Sequence, residues 1–231
     1  GVVTATVTGG HGYPVSANPI SATIAGVAPT GYNGTYAITV TSATQFTYAL
    51  ATNPGASTTQ GTVTNYNAGL LTNSVATFFA QGTACSVYVL ELGSGTAAAG
   101  VTALSAWITA NAGIFYAYLL PVLWDAEATT LAFVNQYTSV STAVYFFLPV
   151  TATSWATYNG VKSVVMVSTS PTAALTEVSS AAPFHLMIAY DPSATNLVTQ
   201  AAYSYMYGLT AWGVNSTSIP TMETAKVNYM A

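Results

Sequence analysis

The sequence predicts an α+β protein of two domains, a small all-β sandwich or barrel over residues 1–66 and an α/β layered domain with a mostly parallel sheet over residues 67–231. Two observations predict this division. Short alternating strands separated by Asn-Gly and Pro-Gly turns fill the first region, as in small sandwiches and barrels. From about Ala68 onward, helical segments alternate with uniformly apolar strands, which is typical of a parallel sheet with crossover helices.

Turn residues divide the first region into strands at short intervals. Apolar and polar residues alternate between these turns, and no segment has a helical period. The predicted strands are residues 2–9, 18–27, 34–41, 46–50 and 60–66, the third and fourth being joined by a short turn at 42–45.

The second region alternates between two periods. The predicted helices are residues 70–82, 96–112, 125–139, 153–160 and 196–212, and the predicted strands are residues 84–93, 113–123, 142–150 and 162–169. Asp125 and Glu127 open the third helix, where acidic side chains suit the positive N-terminus of a helix. We therefore interpret both as helix-capping residues.

The composition is unusually poor in charge. Only 3% of the residues are Asp, Glu, Lys or Arg, against about 25% in ordinary soluble domains. The basic residues are Lys162 and Lys226, which argues against a nucleic-acid partner, because that affinity comes mainly from Lys and Arg neutralising phosphates. Since surface charge keeps isolated proteins apart, this composition favours a subunit that is buried in a permanent assembly or a virion particle.

The mean hydropathy of +0.47 raises the question of a membrane protein. The longest apolar stretch, residues 112–124, contains Pro121 and is shorter than the roughly 20 residues that span a bilayer as a helix. It is better interpreted as a buried strand, so no membrane insertion is predicted. The single cysteine, Cys85, excludes an internal disulfide framework.

A dinucleotide site is the sharpest enzymatic alternative. Gly93 and Gly95 follow a predicted strand and precede a predicted helix, where a Gly-x-Gly-x-x-Gly motif would hold a pyrophosphate. The third glycine position is occupied by Ala98, and Asp125 lies where a ribose-binding carboxylate is expected. A small-residue turn that only packs explains the same pattern, and we favour that interpretation.

Other catalytic chemistry has less support. The sequence contains neither a phosphate-binding loop with its lysine nor a Gly-x-Ser-x-Gly nucleophile motif. His185 and Asp191 could form a base and its orienting group, but no third member accompanies them, and His11 lies in a turn. The acidic residues, the histidines and Cys85 are scattered, unlike a metal site. We therefore predict no enzyme and no catalytic, cofactor-binding or metal-binding residues.

Aromatic residues raise a third possibility, a carbohydrate-binding face. In the first region the candidates are Tyr13, Tyr32, Tyr36, Phe46 and Tyr48. Tyr36 and Tyr48 lie in alternating strands, so core or cross-strand packing explains them better. The tryptophans fall in the second region, at positions expected to pack: Trp107, Trp124, Trp155 and Trp212.

Both regions resemble phage structural proteins. With its "HGY" turn at 11–13, "YNGTY" hairpin at 32–36 and "TQFTYAL" strand at 44–50, the first resembles an immunoglobulin-like module of such proteins. The second, through "SVATFFAQGTACSVYVLELG" at 74–93 and "PFHLMIAYDPSATNLVTQAAYSYMYGL" at 183–209, is similar to the tail-sheath proteins of contractile phage tails.

The resemblance implies a structural subunit without cofactors. Many identical copies would stack helically around an inner tail tube, contact the baseplate and contract during infection, in a virion tail assembled in the cytoplasm of the bacterial host. The family's terminal portions carry strand exchange; a matching N-terminal arm and C-terminal domain are not recognised, so a fragment is expected. The alternatives are a virion decoration or adhesion protein that binds host glycans through the β-module, and a nucleotide-binding α/β enzyme.

Overall fold

The computed structural model describes residues 1–13, 16–64, 66–82, 86–92, 96–137, 144–173, 177–188, 206–213 and 215–230. It confirms the predicted fold class. A five-stranded antiparallel half-barrel is followed by helices and a three-stranded parallel sheet. The chain divides into two compact units, Gly1–Thr72 and Asn73–Ala231, and the division falls within the first helix.

The first unit is the antiparallel sheet. Its strands lie close to their predicted positions: β1 Val2–Thr6, β2 Ser16–Ala25, β3 Gly34–Val40, β4 Gln45–Ala49 and β5 Thr62–Val63. The spatial order is β1-β4-β3-β2-β5, so β1 and β5 are the edge strands. The turn between β3 and β4 is closed by hydrogen bonds between Ser42 and Gln45, as the sequence predicts.

Alternation along β3 and β4 builds the core of this unit. Ile38, Val40, Phe46 and Tyr48 are all buried, because residues two apart in a strand point to the same face. The Tyr48 ring stacks on that of Tyr36 with centroids 4.8 Å apart. The polar partners of each strand face outward, which is the expected pattern of a sheet with one solvated face.

The second unit contains the parallel sheet and most of the helices. The strands are β6 Ala117–Leu119, β7 Tyr145–Val150 and β8 Val164–Ser168, paired in the order β6-β7-β8. Among the described residues the α-helices are α1 Tyr66–Ala80, α2 Ala97–Ala110, α3 Ala128–Asn135, α4 Ala181–Ile188 and α5 Ile219–Ala225. In the part of the chain that the structure describes, none of the helices is long and apolar enough to cross a bilayer.

The central strand β7 carries the core of the second unit. Phe146, Leu148 and Val150 are fully or almost fully buried, as predicted for a strand covered on both faces. Leu104 and Ile108 of α2 belong to the same apolar cluster. The uniformly apolar sequence of β7 is thus explained by its central place in the sheet.

Several element predictions in this region were wrong or too long, including the helix predicted at 125–139, which is shortened to α3. Residues 86–92 of the predicted strand 84–93 belong to no strand, and most of their side chains are exposed. Residues 152–160 form consecutive turns instead of a helix, and residues 206–212 are not helical. The strand predicted at 113–123 is reduced to β6. Apolar periodicity indicates where a chain can be extended or helical, but a strand also needs a partner, which the pattern does not specify.

Candidate functional site

A dense cluster of polar side chains lies at the carboxyl end of the parallel sheet. Asp125 lies in the 3₁₀ turn Trp124–Ala126 after β6, and only 5% of it is exposed. Thr151 is the first residue after β7; its backbone N–H and its hydroxyl donate to Asp125 Oδ2 at 2.8 and 2.9 Å. The Ser154 hydroxyl donates to the same oxygen. Because ligands of open α/β sheets bind at this end, the cluster is a candidate functional site.

The cluster works as an internal brace. Oδ2 of Asp125 accepts every one of these bonds, and the backbone carbonyl of Asp125 accepts from the Tyr158 hydroxyl at 3.1 Å. Among the described residues no group bonds Oδ1, which is buried. A buried carboxylate is stabilised by such donors. Asp125 therefore fixes the turn after β7 to the turn after β6, and the prediction that it caps a helix is wrong.

Glu127 does cap a helix. It precedes α3, and its Oε1 accepts from the backbone N–H of Thr129 at 3.2 Å. This satisfies one of the free N–H groups of the first turn. The prediction for Glu127 is confirmed.

Tyr158 responds to the acidic residues beside it. Burial, followed by the negative charges of Asp125 and Glu127, raises the pKa of Tyr158 to about 12. The folded chain therefore holds the phenolic proton more tightly than the unfolded chain does. This contribution to stability is fully present below about pH 10, the ordinary pKa of tyrosine, and is lost as the pH rises toward 12.

We expect Tyr158→Phe to weaken the alkaline loss of stability. The wild-type free energy of unfolding should fall between about pH 10 and pH 12, and the variant should fall less steeply over the same interval. Urea unfolding at several pH values measures this. Tyr145→Phe is the control because Tyr145 is 45% exposed; equal slopes for the two variants would contradict the prediction.

The structure gives little support to a dinucleotide site. Gly93 and Gly95 lie outside the described residues. Helix α2 begins after Thr96, whose hydroxyl caps it by accepting from the Ala99 N–H at 3.3 Å, so Ala98 lies in the first turn. The carboxylate of Asp125 accepts hydrogen bonds from the turn after β7, and the residue is only 5% exposed. The acidic residue expected at a ribose is thus used for packing.

Both histidines are buried and pack against aromatic rings. His11 Nδ1 accepts from the Tyr13 backbone N–H at 3.1 Å, and its Nε2 lies 3.0 Å from the Ser42 carbonyl, to which it donates. His185 is buried in α4 against the Phe78 ring, with centroids 4.7 Å apart. Burial lowers its pKa below the ordinary value. By hydrogen-bond geometry neither ring nitrogen of His185 has a partner among the described residues, although the Gly82 backbone lies close to the ring and partly offsets the lowering of its pKa. Asp191 lies outside those residues.

The acidic residues and histidines that the structure describes do not form a metal site either. Within the described ranges, no three His, Cys, Asp or Glu side chains converge. Cys85 is outside them. Two shallow grooves among the described residues have uncharged walls: one of about 710 Å³ lies between α2 and α3, and one of about 430 Å³ lies beside Trp155 and α5.

The aromatic residues proposed for glycan binding are mostly used inside the first unit. Tyr13, Phe46 and Tyr48 are buried. Tyr32 and Tyr36 are half-buried, and their hydroxyls donate to the carbonyls of Gly55 and Asn33. Since sugar stacking needs an open ring face, these five residues offer no ready platform.

Several of the large apolar side chains that remain exposed in the second unit lie at the opposite, amino end of its sheet. We call Tyr88, Ile114, Tyr116 and Tyr145 the amino-edge surface; their exposed fractions are 74, 59, 51 and 45%. Tyr145 begins β7, and its N–H donates to the Tyr116 carbonyl at 2.7 Å. The Tyr88 ring packs on Phe115 with centroids 5.1 Å apart. Sequence reasoning missed this surface because it assigned these residues to buried strands.

The described residues thus form hydrogen-bonded turns, helix caps and an exposed apolar surface. No set of described side chains is arranged as a catalytic centre. Comparisons of the chain with protein-family models, with curated proteins and with solved structures give no match.

Proposed function

We propose that the chain is a non-enzymatic structural subunit of a contractile phage tail, most simply of the sheath. In this proposal identical subunits form a helical stack around the inner tube, contact the baseplate and contract during infection. Assembly takes place in the cytoplasm of the bacterial host, and the final location is the virion tail. The proposed assembly uses no cofactor, binds no nucleic acid and does not insert into a membrane.

The observation that carries this proposal is the amino-edge surface on a chain almost without charge. Large exposed apolar patches mark interaction sites on soluble proteins, and only 3% of the residues are charged. Surface charge keeps isolated proteins from associating. A subunit whose surface is covered by neighbouring subunits therefore needs little of it. The sequence resemblance to sheath proteins favours a helical stack of identical subunits as the type of assembly.

The polar clusters are consistent with such a role. Asp125, Glu127 and His11 bond to the chain itself, which favours rigidity over chemistry. A contractile assembly stores its free energy in subunit interfaces that improve in the second state. It therefore needs stiff subunits and alternative contacts, without a reaction inside the subunit.

Electron microscopy of the full-length protein tests the proposal. We expect rings, tubes or stacked discs at high protein concentration. If the protein stays monomeric at every concentration and ionic strength, the sheath assignment fails. A glycan-array screen of the same protein addresses the adhesion alternative, which the packed rings of the first unit support less, and thermal-shift measurements with NAD and ATP address the enzyme alternative.

We expect Tyr88→Lys to reduce this assembly. The change places a hydrated charge on the amino-edge surface, where a neighbouring subunit would have to desolvate it. The matched control is Ala43→Lys, which adds the same charge to an exposed turn of the first unit. Negative-stain images and light scattering should show fewer or shorter polymers only for Tyr88→Lys; equal behaviour of the two variants would remove the amino-edge surface from the proposal.

A further inference from the structure

Strand β1 forms an open edge of the antiparallel sheet. It pairs with β4 on one side, and it is the last strand of the sheet on the other. Its sequence, VVTAT, contains no charge and no proline. Natural edge strands are usually protected by charges, prolines, bulges or shortness, because their free N–H and C=O groups invite another strand. The other edge, β5, is only two residues long, whereas β1 has no such protection.

The hydrogen-bond alternation identifies which backbone groups are free. Gly1 and Leu50 exchange both backbone bonds, at 2.6 and 2.8 Å, and the Val7 N–H donates to Thr44 at 2.8 Å. In an antiparallel pair every second residue faces the partner strand. Since Val2 lies opposite Ala49 between bonded pairs, the backbone groups of Val2, Thr4 and Thr6 point away from β4; none of these has a backbone partner in the described chain.

We propose that this edge pairs antiparallel with β1 of a second copy of the chain, about a twofold axis at Thr4. The outward backbone groups are then matched: Thr4 lies opposite the partner's Thr4, and Val2 lies opposite the partner's Thr6. Each such pair exchanges both of its N–H···O bonds. Two open half-barrels join into one continuous sheet.

The side chains favour a second copy as the occupant. The outer-face residues Val2, Thr4 and Thr6 are exposed, and in this register β-branched side chains lie opposite each other, as strands prefer. On the other face the half-buried Val3 lies opposite the partner's Ala5. No like charges meet anywhere along the edge, so the strand is complementary to itself, which is the requirement for a twofold contact.

This pairing is independent of the proposed sheath function. Neighbours in a polar helical stack are not related by a twofold axis, so the contact would join free subunits or subunits of different stacks. One strand pair is a small interface, and the dimer is expected to be weak unless it is trapped covalently.

Cysteine crosslinking tests the register. In a Cys85→Ser background, Thr4→Cys places two thiols at a hydrogen-bonded pair, where the Cα atoms are about 5.5 Å apart, within the range of a disulfide. Ala5→Cys is the control, because residue 5 lies opposite Val3 and the two copies of residue 5 are about 7–8 Å apart. Under mild oxidation the Thr4→Cys chain should form a dimer of twice 23.7 kDa at least tenfold faster than the Ala5→Cys chain.

A second pair of variants tests the contact without crosslinking. Thr4→Lys brings two like charges together at the axis, whereas Ala37→Lys places the same charge on an exposed position of the inner strand β3. In a Tyr88→Lys background, which should suppress the proposed stacking, sedimentation at high concentration should show self-association of the parent and of its Ala37→Lys variant, and loss of that self-association in its Thr4→Lys variant. Equal crosslinking rates at residues 4 and 5, or identical sedimentation of the two lysine variants in that background, would overturn the proposal.

Discussion

Replacing Asp125 with alanine should lower the free energy of unfolding by about 3–5 kcal/mol, because hydrogen bonds to a charged group contribute about 1.5–3 kcal/mol each. Oδ2 of Asp125 accepts from the Thr151 N–H, the Thr151 hydroxyl and the Ser154 hydroxyl. The substitution removes the acceptor and leaves these donors in a buried place. Some of the loss is offset, since the Thr151 N–H also lies 3.1 Å from the Ser154 hydroxyl.

Glu127→Ala is the matched control for this prediction. It removes the same charge two residues away, but the carboxylate of Glu127 only caps the exposed start of α3, so we expect a loss of about 0.5–1 kcal/mol. Asp125→Asn should fall between the two, because its new amide group would replace an oxygen that has no partner among the described residues. Urea titrations give all three values; equal losses for Asp125→Ala and Glu127→Ala would show that the buried brace is not needed.

Asp125 and Glu127 show which structural roles a local sequence pattern can predict. Glu127 was predicted correctly as a cap, because the signal is local: an acidic residue directly before a helical period. Asp125 shows the same local signal, yet its partners Thr151 and Ser154 lie 26 and 29 residues further along the chain. Only the parallel pairing of β6 with β7 brings these turns together, and no spacing in the sequence specifies that pairing.

The strands of the first unit were predicted better than those of the second for the same reason. The five strands of the first unit were predicted because tight turns punctuate them, and two of the four pairings, β2 with β3 and β3 with β4, join strands that are consecutive in the chain. In the second unit β7 was predicted from its apolar run, whereas residues 86–92 have a comparable run and join no strand. The exposed Tyr88 beside Phe115 shows that apolar character alone does not distinguish a buried strand from an interaction surface.

Gly93 and Gly95 raised the possibility of a close approach by a cofactor, whereas Gly100, in the following helix α2, makes a close approach of another kind. A Cβ added at Gly100 would lie 2.6 Å from Cζ2 and 3.2 Å from Cη2 of Trp124. Trp124 is 7% exposed and belongs to the apolar core. The close approach that a dinucleotide fingerprint reserves for a phosphate or a packed strand is here made by an indole ring against helix α2.

We therefore expect Gly100→Ala to lower the free energy of unfolding by about 1–2 kcal/mol. Two effects oppose each other: alanine favours the helix by about 1 kcal/mol, while overpacking a core costs about 1–3 kcal/mol. At 2.6 Å the ring must move, so overpacking should exceed the helical gain. Gly69→Ala in α1 isolates the gain, because nothing lies within 4 Å of its added Cβ. That variant should be stabilised by up to about 1 kcal/mol. Opposite signs in urea titrations are the expected result, and stabilisation of both variants would mean that Trp124 yields to the added methyl group without cost.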